Sequence, residues 1–108
     1  MTNTDFIQQL FDTVSSRKGA DPKESYVASL FAKGIKKIAQ KVGEEATETV
    51  LASAGGDKKE IVAESADLLF HLSVLWAAHG VTPAEIAAEL KRREGVSGIE
   101  EKKSRKQE

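Results

Sequence analysis

The sequence predicts an all-α fold, a small helical domain of about five helices. Apolar residues recur three and four positions apart, as they do along one face of a helix. No segment alternates between apolar and polar residues for long enough to make a convincing strand. The chain has only two prolines, and each stands where a helix begins, whereas most of the glycines fall where helices end. Together these patterns favour helices joined by short turns.

The first two helices are expected over about 3–17 and about 22–33. The apolar face of the first is formed by Phe6, Ile7, Leu10, Phe11 and Val14. The second is expected to begin at Pro22, because Asp21 before it is a good N-cap residue and Glu24 stands where a capping box needs it.

A long helical hairpin is expected next, with helices over about 35–54 and 58–79. Gly55 and Gly56 form the turn, and Asp57 is the N-cap of the second of these helices. The apolar face of the first of them consists of Ile35, Ile38, Ala39, Val42, Ala46 and Val50. The other is apolar on nearly every side over its second half, and such a helix must be covered all round. Because few short helices remain to cover it, we predict that part of it is buried against a second copy of the chain.

The fifth helix is expected over about 83–94, where Thr82 and Glu85 form a capping box around Pro83. The last residues, 95–108, are almost wholly polar with mixed charges, and we expect a solvated, flexible tail. We therefore assign residues 1–94 to one domain.

The amino-acid composition argues against several classes of protein. With 108 residues, 40% hydrophobic and 31% charged, the chain is expected to form one soluble globular domain. The absence of cysteine excludes disulfides, thiolate zinc sites and a cysteine nucleophile. No apolar run is long enough to suggest a membrane span and no secretory signal is evident, so cytoplasmic location is expected. A net charge of −1 argues against a nucleic-acid-binding protein.

Two groups of acidic residues flank the predicted turn. One helix carries Glu44-Glu45-x-x-Glu48 and the next carries Glu64-x-x-Asp67. At about 100° per residue, Glu45 and Glu48 lie about 60° apart on one edge of their helix. Glu64 and Asp67 are related in the same way. In an antiparallel hairpin the two edges can face each other, so we expect these four carboxylates to converge.

Converging carboxylates repel one another, and a divalent cation removes that conflict. A ligand set made only of oxygen favours Mg²⁺, with Mn²⁺ as the alternative. Lysines that precede the acidic residues, namely Lys33, Lys36, Lys37 and Lys41, would add positive charge for a polyphosphate. The competing interpretation is that the acidic residues form an ordinary solvated helix face.

Two residues near these motifs have open roles. Glu44 projects nearly opposite the apolar centre of its helix, which favours a solvent-exposed carboxylate or one that acts beside the ligands. His71 projects between Glu64 and Asp67. It could be a ligand, a hydrogen-bond donor behind the ligands, or a histidine whose hydrogen bonds are satisfied at the edge of the core.

The two acidic motifs resemble the signature of the all-α NTP pyrophosphatases, the MazG-like superfamily. The surrounding segments ESYVASLFAKG (24–34), KIAQKVGEEA (37–46) and ESADLLFH (64–71) are similar to the phosphoribosyl-ATP pyrophosphatases. The resemblance runs from about residue 6 to residue 91 and leaves the tail out.

The resemblance implies an activity, a cofactor and an assembly. The family hydrolyses 1-(5-phosphoribosyl)-ATP to 1-(5-phosphoribosyl)-AMP and pyrophosphate, the second step of L-histidine biosynthesis. Mg²⁺ is the expected metal. The family fold is a dimer whose helices form a four-helix core. A nucleotide substrate and a homodimer or higher homo-oligomer are therefore the expected partners.

The four metal ligands carry over position by position, and Glu44 matches the first position of the motif; the base and the phosphate contacts follow from the chemistry. The implied metal ligands are Glu45, Glu48, Glu64 and Asp67. Either Glu44 or Glu48 would orient or deprotonate the attacking water. Phosphate contacts are expected from Lys33, Lys37 and Lys41.

Two other functions are considered. A housecleaning dNTP pyrophosphatase of the same superfamily would share the metal site but act on other nucleotides. A non-catalytic helical oligomerisation module would carry the acidic residues only as a solvated face, and it would show no response to Mg²⁺ or Mn²⁺.

Overall fold

The computed structural model describes residues 3–95 and 98–107. Within these ranges the chain forms six helices and no strand. The helices are α1 (Asn3–Ser15), α2 (Tyr26–Lys33), α3 (Ile35–Gly55), α4 (Lys58–His79), α5 (Pro83–Arg92) and α6 (Gly98–Gln107). The predicted all-α fold is confirmed, with one helix more than expected. Residues 1–2 of the predicted domain, and 96–97 and 108 of the predicted tail, lie outside the described residues.

The α3–α4 hairpin is the largest unit of the fold. Gly56 ends α3 in the left-handed conformation, with φ at 75°, which glycine adopts without steric cost. Its N–H donates to the carbonyl oxygens of Ala52 and Ser53. Asp57 then begins α4 by accepting a hydrogen bond from the N–H of Lys59 at 2.9 Å. The turn is therefore tight, and it lays the two longest helices against each other.

The hydrophobic core lies where four helices meet. Its buried residues are Val14, Leu30, Ile38, Val74 and Ala77, contributed by α1, α2, α3 and, for the last two, α4. Helices α1 and α2 both pack on α4, and α5 packs on α1. Helix α4 is thus the central helix. The acidic motifs lie around the middle of α3 and on the first half of α4.

Helix α4 is long and apolar enough to cross a membrane when judged by length and composition alone. The core helix of a globular protein passes the same two criteria, so this one helix does not establish a membrane span and does not overturn the sequence-based expectation. The helix contacts α1, α2 and α3 and carries the buried polar residues His71 and Ser73, as a central core helix does. Of its most apolar window, 22% is buried within one chain, and the large apolar residues Leu69, Leu72 and Trp76 are half-buried.

The start of α2 differs from the prediction. The helix begins at Tyr26 rather than near residue 22. Ser25 is its N-cap, accepting a hydrogen bond from the N–H of Ala28 at 3.1 Å. The Asp21 carboxylate instead accepts from the N–H of Lys23 at 2.9 Å, which stabilises a turn. The chain offers two capping residues four positions apart, and the later one starts the helix.

Helix α6 covers most of the predicted flexible tail. Its sequence is rich in Glu, Lys and Arg, which are good helix formers, so local propensity accounts for the helix. Its one large apolar residue, Ile99, is 71% exposed, which shows that the helix is not held by burial of an apolar face. The division between domain and tail near residue 95 stays a prediction.

Candidate active site

Three carboxylates converge on the α3–α4 hairpin. Glu45 and Glu48 come from α3 and Glu64 comes from α4. Each offers a carboxylate oxygen, and these three oxygens lie within 4.8 Å of one another. Glu45 is buried at 7% exposure, Glu64 is half-buried and Glu48 is exposed. The acidic cluster, defined as these three residues, therefore runs from the helix interface to the solvent.

Two oxygens of the acidic cluster are buried without a hydrogen-bond partner. They are the Oε2 atoms of Glu45 and Glu64. Burial of a carboxylate oxygen is costly unless a proton donor or a cation compensates it. In the described structure neither oxygen has a donor, which is the environment that a bound cation would satisfy. An all-oxygen donor set of this kind suits Mg²⁺ or Mn²⁺ rather than zinc.

The electrostatics of the acidic cluster agree with this interpretation. Burial, followed by close contact with the Glu48 carboxyl group, raises the pKa of Glu45 above its ordinary value. Contact with Glu48, followed by burial, raises the pKa of Glu64. The charge of Asp67 adds to both shifts. Glu45 and Glu64 therefore retain their protons more strongly than isolated glutamates do.

Asp67 lies outside the acidic cluster. It is exposed, and it is not among the residues whose carboxylate oxygens all lie within 4.8 Å of one another. Its backbone carbonyl accepts a hydrogen bond from Nδ1 of His71 at 2.8 Å. Of the four residues expected to converge, the structure therefore brings three into one group and places the fourth one turn along α4 from Glu64.

His71 has both ring nitrogens occupied. With Nδ1 donating to the Asp67 carbonyl, Nε2 accepts from the Tyr26 hydroxyl at 3.0 Å. The ring is buried, with 6% exposure, and lies edge-on to Phe70. Among the three roles left open for His71, the structure favours a histidine with satisfied hydrogen bonds at the edge of the core.

The three predicted phosphate-binding lysines differ in their surroundings. Lys41 lies beside the acidic cluster, with Nζ 3.3 Å from Glu44 and 3.7 Å from Glu45. The hydrogen bond to Glu44 is the main reason that its pKa is raised. Lys37 is half-buried near the start of α3, and Lys33 is exposed in the last turn of α2. Lys41 is the one whose charge lies directly against a cluster carboxylate.

Glu44 does not join the acidic cluster. Its carboxylate is exposed, accepts a hydrogen bond from Nε2 of Gln40 at 3.0 Å, and pairs with Lys41. The Gln40 hydrogen bond, followed by that of Lys41, lowers its pKa. A carboxylate with a lowered pKa is a weaker base. Its position agrees with the exposed orientation expected from the helix projection.

The structure also has an open pocket away from the acidic cluster. It measures about 430 Å³ and is lined by Arg17, Ala20, Asp21, Glu24 and Ser25, where α1 connects to α2. None of the converging carboxylates lines it. The cluster is therefore a surface site at a helix interface rather than the floor of this pocket.

Two residues at the site escaped the sequence interpretation. The hydroxyl of Thr49 donates to the carbonyl oxygen of Glu45 at 2.8 Å and lies 3.2 Å from that of Glu64. The Tyr26 hydroxyl binds His71. Thr49 could have been noticed, because it stands one turn after Glu45 on the same helix face. Nothing in the sequence indicates the partner of Tyr26, which is 45 positions away.

The family model and the known relatives that match this chain indicate the same family. The family model of phosphoribosyl-ATP pyrophosphohydrolase matches residues 7–94. A phosphoribosyl-ATP pyrophosphatase of Paramagnetospirillum magneticum is 60% identical over 99 residues, covering 92% of this chain and 91% of the relative. Its counterpart in Rhizorhabdus wittichii is 57% identical over 105 residues, covering 97% of each chain. That of Azospirillum brasilense is 57% identical over 100 residues, covering 93% of this chain and 90% of the relative.

These matches extend over all of α2, α3, α4 and α5, and so include both acidic motifs. The resemblance seen in the sequence motifs is thereby confirmed over most of the chain. The chain belongs to the phosphoribosyl-ATP pyrophosphohydrolase family.

Proposed function

We propose that this chain hydrolyses 1-(5-phosphoribosyl)-ATP to 1-(5-phosphoribosyl)-AMP and pyrophosphate, the second step of L-histidine biosynthesis. Water would cleave the α–β phosphoanhydride bond. The observation that carries the proposal is the acidic cluster, whose three carboxylate oxygens lie within 4.8 Å of one another inside the region that the family model matches.

The proposed cofactor is Mg²⁺, with Mn²⁺ as a substitute. Glu45, Glu48 and Glu64 would hold it, and the nearby Asp67 would complete the ligand set. The partnerless buried oxygens of Glu45 and Glu64 support this assignment. When bound, Mg²⁺ neutralises charge on the phosphate oxygens and stabilises the negative charge that develops on the leaving pyrophosphate.

Lysine side chains near the acidic cluster would supply positive charge, and a glutamate would act as the general base. Lys41 lies against the cluster, so its ammonium group can steady a phosphate that approaches the carboxylates. Lys33 and Lys37 would extend this positive surface. Of the two candidate bases, Glu48 is the better one, because it lies in the cluster and is exposed to water. The Glu44 carboxylate already accepts a hydrogen bond from Gln40 and pairs with Lys41, and its pKa is lowered.

The test is an assay of purified protein with phosphoribosyl-ATP, with and without Mg²⁺, that measures pyrophosphate release. We expect metal-dependent release, and we expect Glu48→Gln and Asp67→Asn each to abolish turnover while the helical circular dichroism spectrum stays unchanged. Near-normal turnover in either variant would remove that residue from the site. A parallel panel of dNTPs distinguishes the housecleaning pyrophosphatase, which would cleave dNTPs but not phosphoribosyl-ATP. Absence of any response to divalent cations would favour the non-catalytic helical module.

A homodimer is part of the proposal. An apolar groove of about 280 Å³ runs between α1, α4 and α5 and is lined by Ile7, Leu69, Trp76, Pro83, Ile86, Ala87 and Leu90. Val50 and Leu51 on α3 and Val62 on α4 are each more than 60% exposed. Apolar surface of this extent supports burial against a second copy. Sedimentation should report a dimer or larger species, and a monomer at micromolar concentration would contradict the proposal.

The proposed location is the cytoplasm, which suits an enzyme that acts on a small nucleotide in histidine biosynthesis. Detection of the protein in a membrane fraction that resists washing with salt would count against this location and would favour a membrane role for α4.

A further inference from the structure

Thr49 is the residue that links the two halves of the acidic cluster through the backbone. Its hydroxyl donates to the carbonyl oxygen of Glu45, one turn earlier on α3, at 2.8 Å. The same hydroxyl lies 3.2 Å from the carbonyl oxygen of Glu64 on α4. The two acceptors belong to two residues of the cluster, one on each helix.

This contact differs from the common hydrogen bond that a helical threonine makes to its own helix. Thr47 shows the common pattern, with its hydroxyl donating to the carbonyl of Gly43 at 3.1 Å. Thr47 is exposed and bonds within α3, whereas Thr49 is half-buried and reaches a carbonyl 15 positions away. The two threonines therefore share a backbone environment, but one of them also bridges two helices.

The location of this bridge matters because the side chains around it repel each other. Before a cation binds, the carboxylates of the cluster oppose close approach of α3 and α4 at this level. The Thr49 hydroxyl, which is shared as a hydrogen-bond donor by the two backbones, holds α3 and α4 together against this repulsion. It requires no side chain of the cluster, so the carboxylate oxygens remain available for a ligand.

We propose that Thr49 is a positioning residue, which fixes the separation of Glu45 and Glu64 so that their carboxylates are arranged for a divalent cation before it binds. It contacts neither the cation nor the substrate and acts only through the two glutamates. The proposal rests on the metal site in the proposed function, and its test is a direct binding measurement that does not need turnover. Residues that orient metal ligands change metal affinity by about 10- to 100-fold when removed.

The experiment measures Mn²⁺ binding to the purified full chain by isothermal titration calorimetry. Thr49→Val removes the hydroxyl and keeps the branched shape, and we expect about tenfold weaker binding, the lower end of that range. Thr49→Ser keeps a hydroxyl and should bind within about twofold of the wild type. Thr47→Val is the matched control, since it removes a hydroxyl from the same helix without touching α4, and it should also bind normally.

Turnover gives an independent readout. In Thr49→Val the Mg²⁺ concentration for half-maximal rate should rise about tenfold, while kcat at saturating Mg²⁺ should stay near the wild-type value because every ligand is still present. A general loss of structure would lower kcat and would not be corrected by metal.

Several results would overturn the proposal. One is wild-type Mn²⁺ affinity in Thr49→Val, and another is an equal loss in Thr47→Val. If Thr49→Val does not fold, Thr49→Ser and Thr49→Ala provide the comparison, since both lack the methyl group and only the first keeps the hydroxyl. Equal Mn²⁺ affinities of these two variants would also refute the inference. If the wild type binds Mn²⁺ but does not cleave phosphoribosyl-ATP, the proposed function fails and the role of Thr49 is still decided by the affinities. If the wild type binds no divalent cation, both fail.

Discussion

Replacing Glu48 by Gln is expected to change thermal stability in opposite directions with and without a divalent cation. In the metal-free protein the Glu48 carboxyl group is the close neighbour that helps to raise the pKa of both Glu45 and Glu64. Gln keeps the shape of Glu48 and removes its charge. Glu48 is exposed, and the amide of a glutamine can donate a hydrogen bond to the neighbouring carboxylates. The metal-free variant should therefore melt at the wild-type temperature or above it.

A cation should reverse this order. A ligand present at 100 times its Kd stabilises the folded state by about 2.7 kcal/mol. With an unfolding entropy of about 2.1 cal/mol/K per residue, a chain of 108 residues gains about 4 °C in Tm per kcal/mol. The wild-type Tm should thus rise by about 12 °C. If the loss of one ligand weakens binding by about 100-fold, the same concentration raises the Tm of the variant by only about 2 °C.

Differential scanning calorimetry in EDTA and in saturating Mn²⁺ measures both effects. Glu44→Gln is the matched control, because Glu44 adjoins Glu45 in sequence, is exposed and lies outside the acidic cluster. It should retain the full metal-induced rise. The reasoning is refuted if Glu48→Gln also retains the full rise, or if its metal-free form melts several degrees below the wild type.

Three further predictions concern pH, the core and the tail. The pKa values of Glu45 and Glu64 are raised above 4.5. Their contribution to the stability of the metal-free protein is therefore greatest below pH 4.5 and declines as the pH rises through the raised values. Urea unfolding from pH 4 to 7 should show this decline in the wild type and a smaller decline in Glu48→Gln. The Mn²⁺-induced rise in Tm should grow over the same interval, because binding displaces those protons, and a rise independent of pH would contradict the shifts. Leu30→Ala, at a position 1% exposed, should cost about 2–5 kcal/mol in urea unfolding, and a loss below about 1 kcal/mol would show that the core tolerates the cavity. Deleting residues 98–108 should leave turnover of phosphoribosyl-ATP largely intact, and a large loss would show that the tail is functional.

Helix boundaries were predictable where a local motif has no competitor. Thr82 and Glu85 form the expected capping box, with the Thr82 hydroxyl accepting from the N–H of Glu85 and the Glu85 carboxylate accepting from that of Thr82. The start of α2 was not predictable, because Asp21 and Ser25 are both good caps and only packing decides between them. Helix α6 was missed because a segment with one large apolar residue shows no apolar periodicity, and helical propensity is then the remaining signal.

The candidate site was predictable to the extent that it depends on the hairpin. Glu48 and Glu64 lie at about equal distances from the Gly55–Gly56 turn, so an antiparallel pair of helices brings them to the same level, and Glu45 follows one turn further on. Asp67 illustrates the limit, because its separation from the other carboxylates depends on helix rotation, which the sequence pattern does not specify. The hydrogen bond between Thr49 and Glu64 depends on the distance between the helices and was equally inaccessible.

The placement of all three cluster residues on one hairpin has a consequence for how the site forms. Loop-closure entropy is small when the joined segments are near neighbours in the chain, and contacts of short sequence separation form quickly during folding. The carboxylates can therefore meet as soon as α3 and α4 pair, before α1 and α5 have packed. Changes at either terminus, such as an appended domain, can then be tolerated without rebuilding the chemistry.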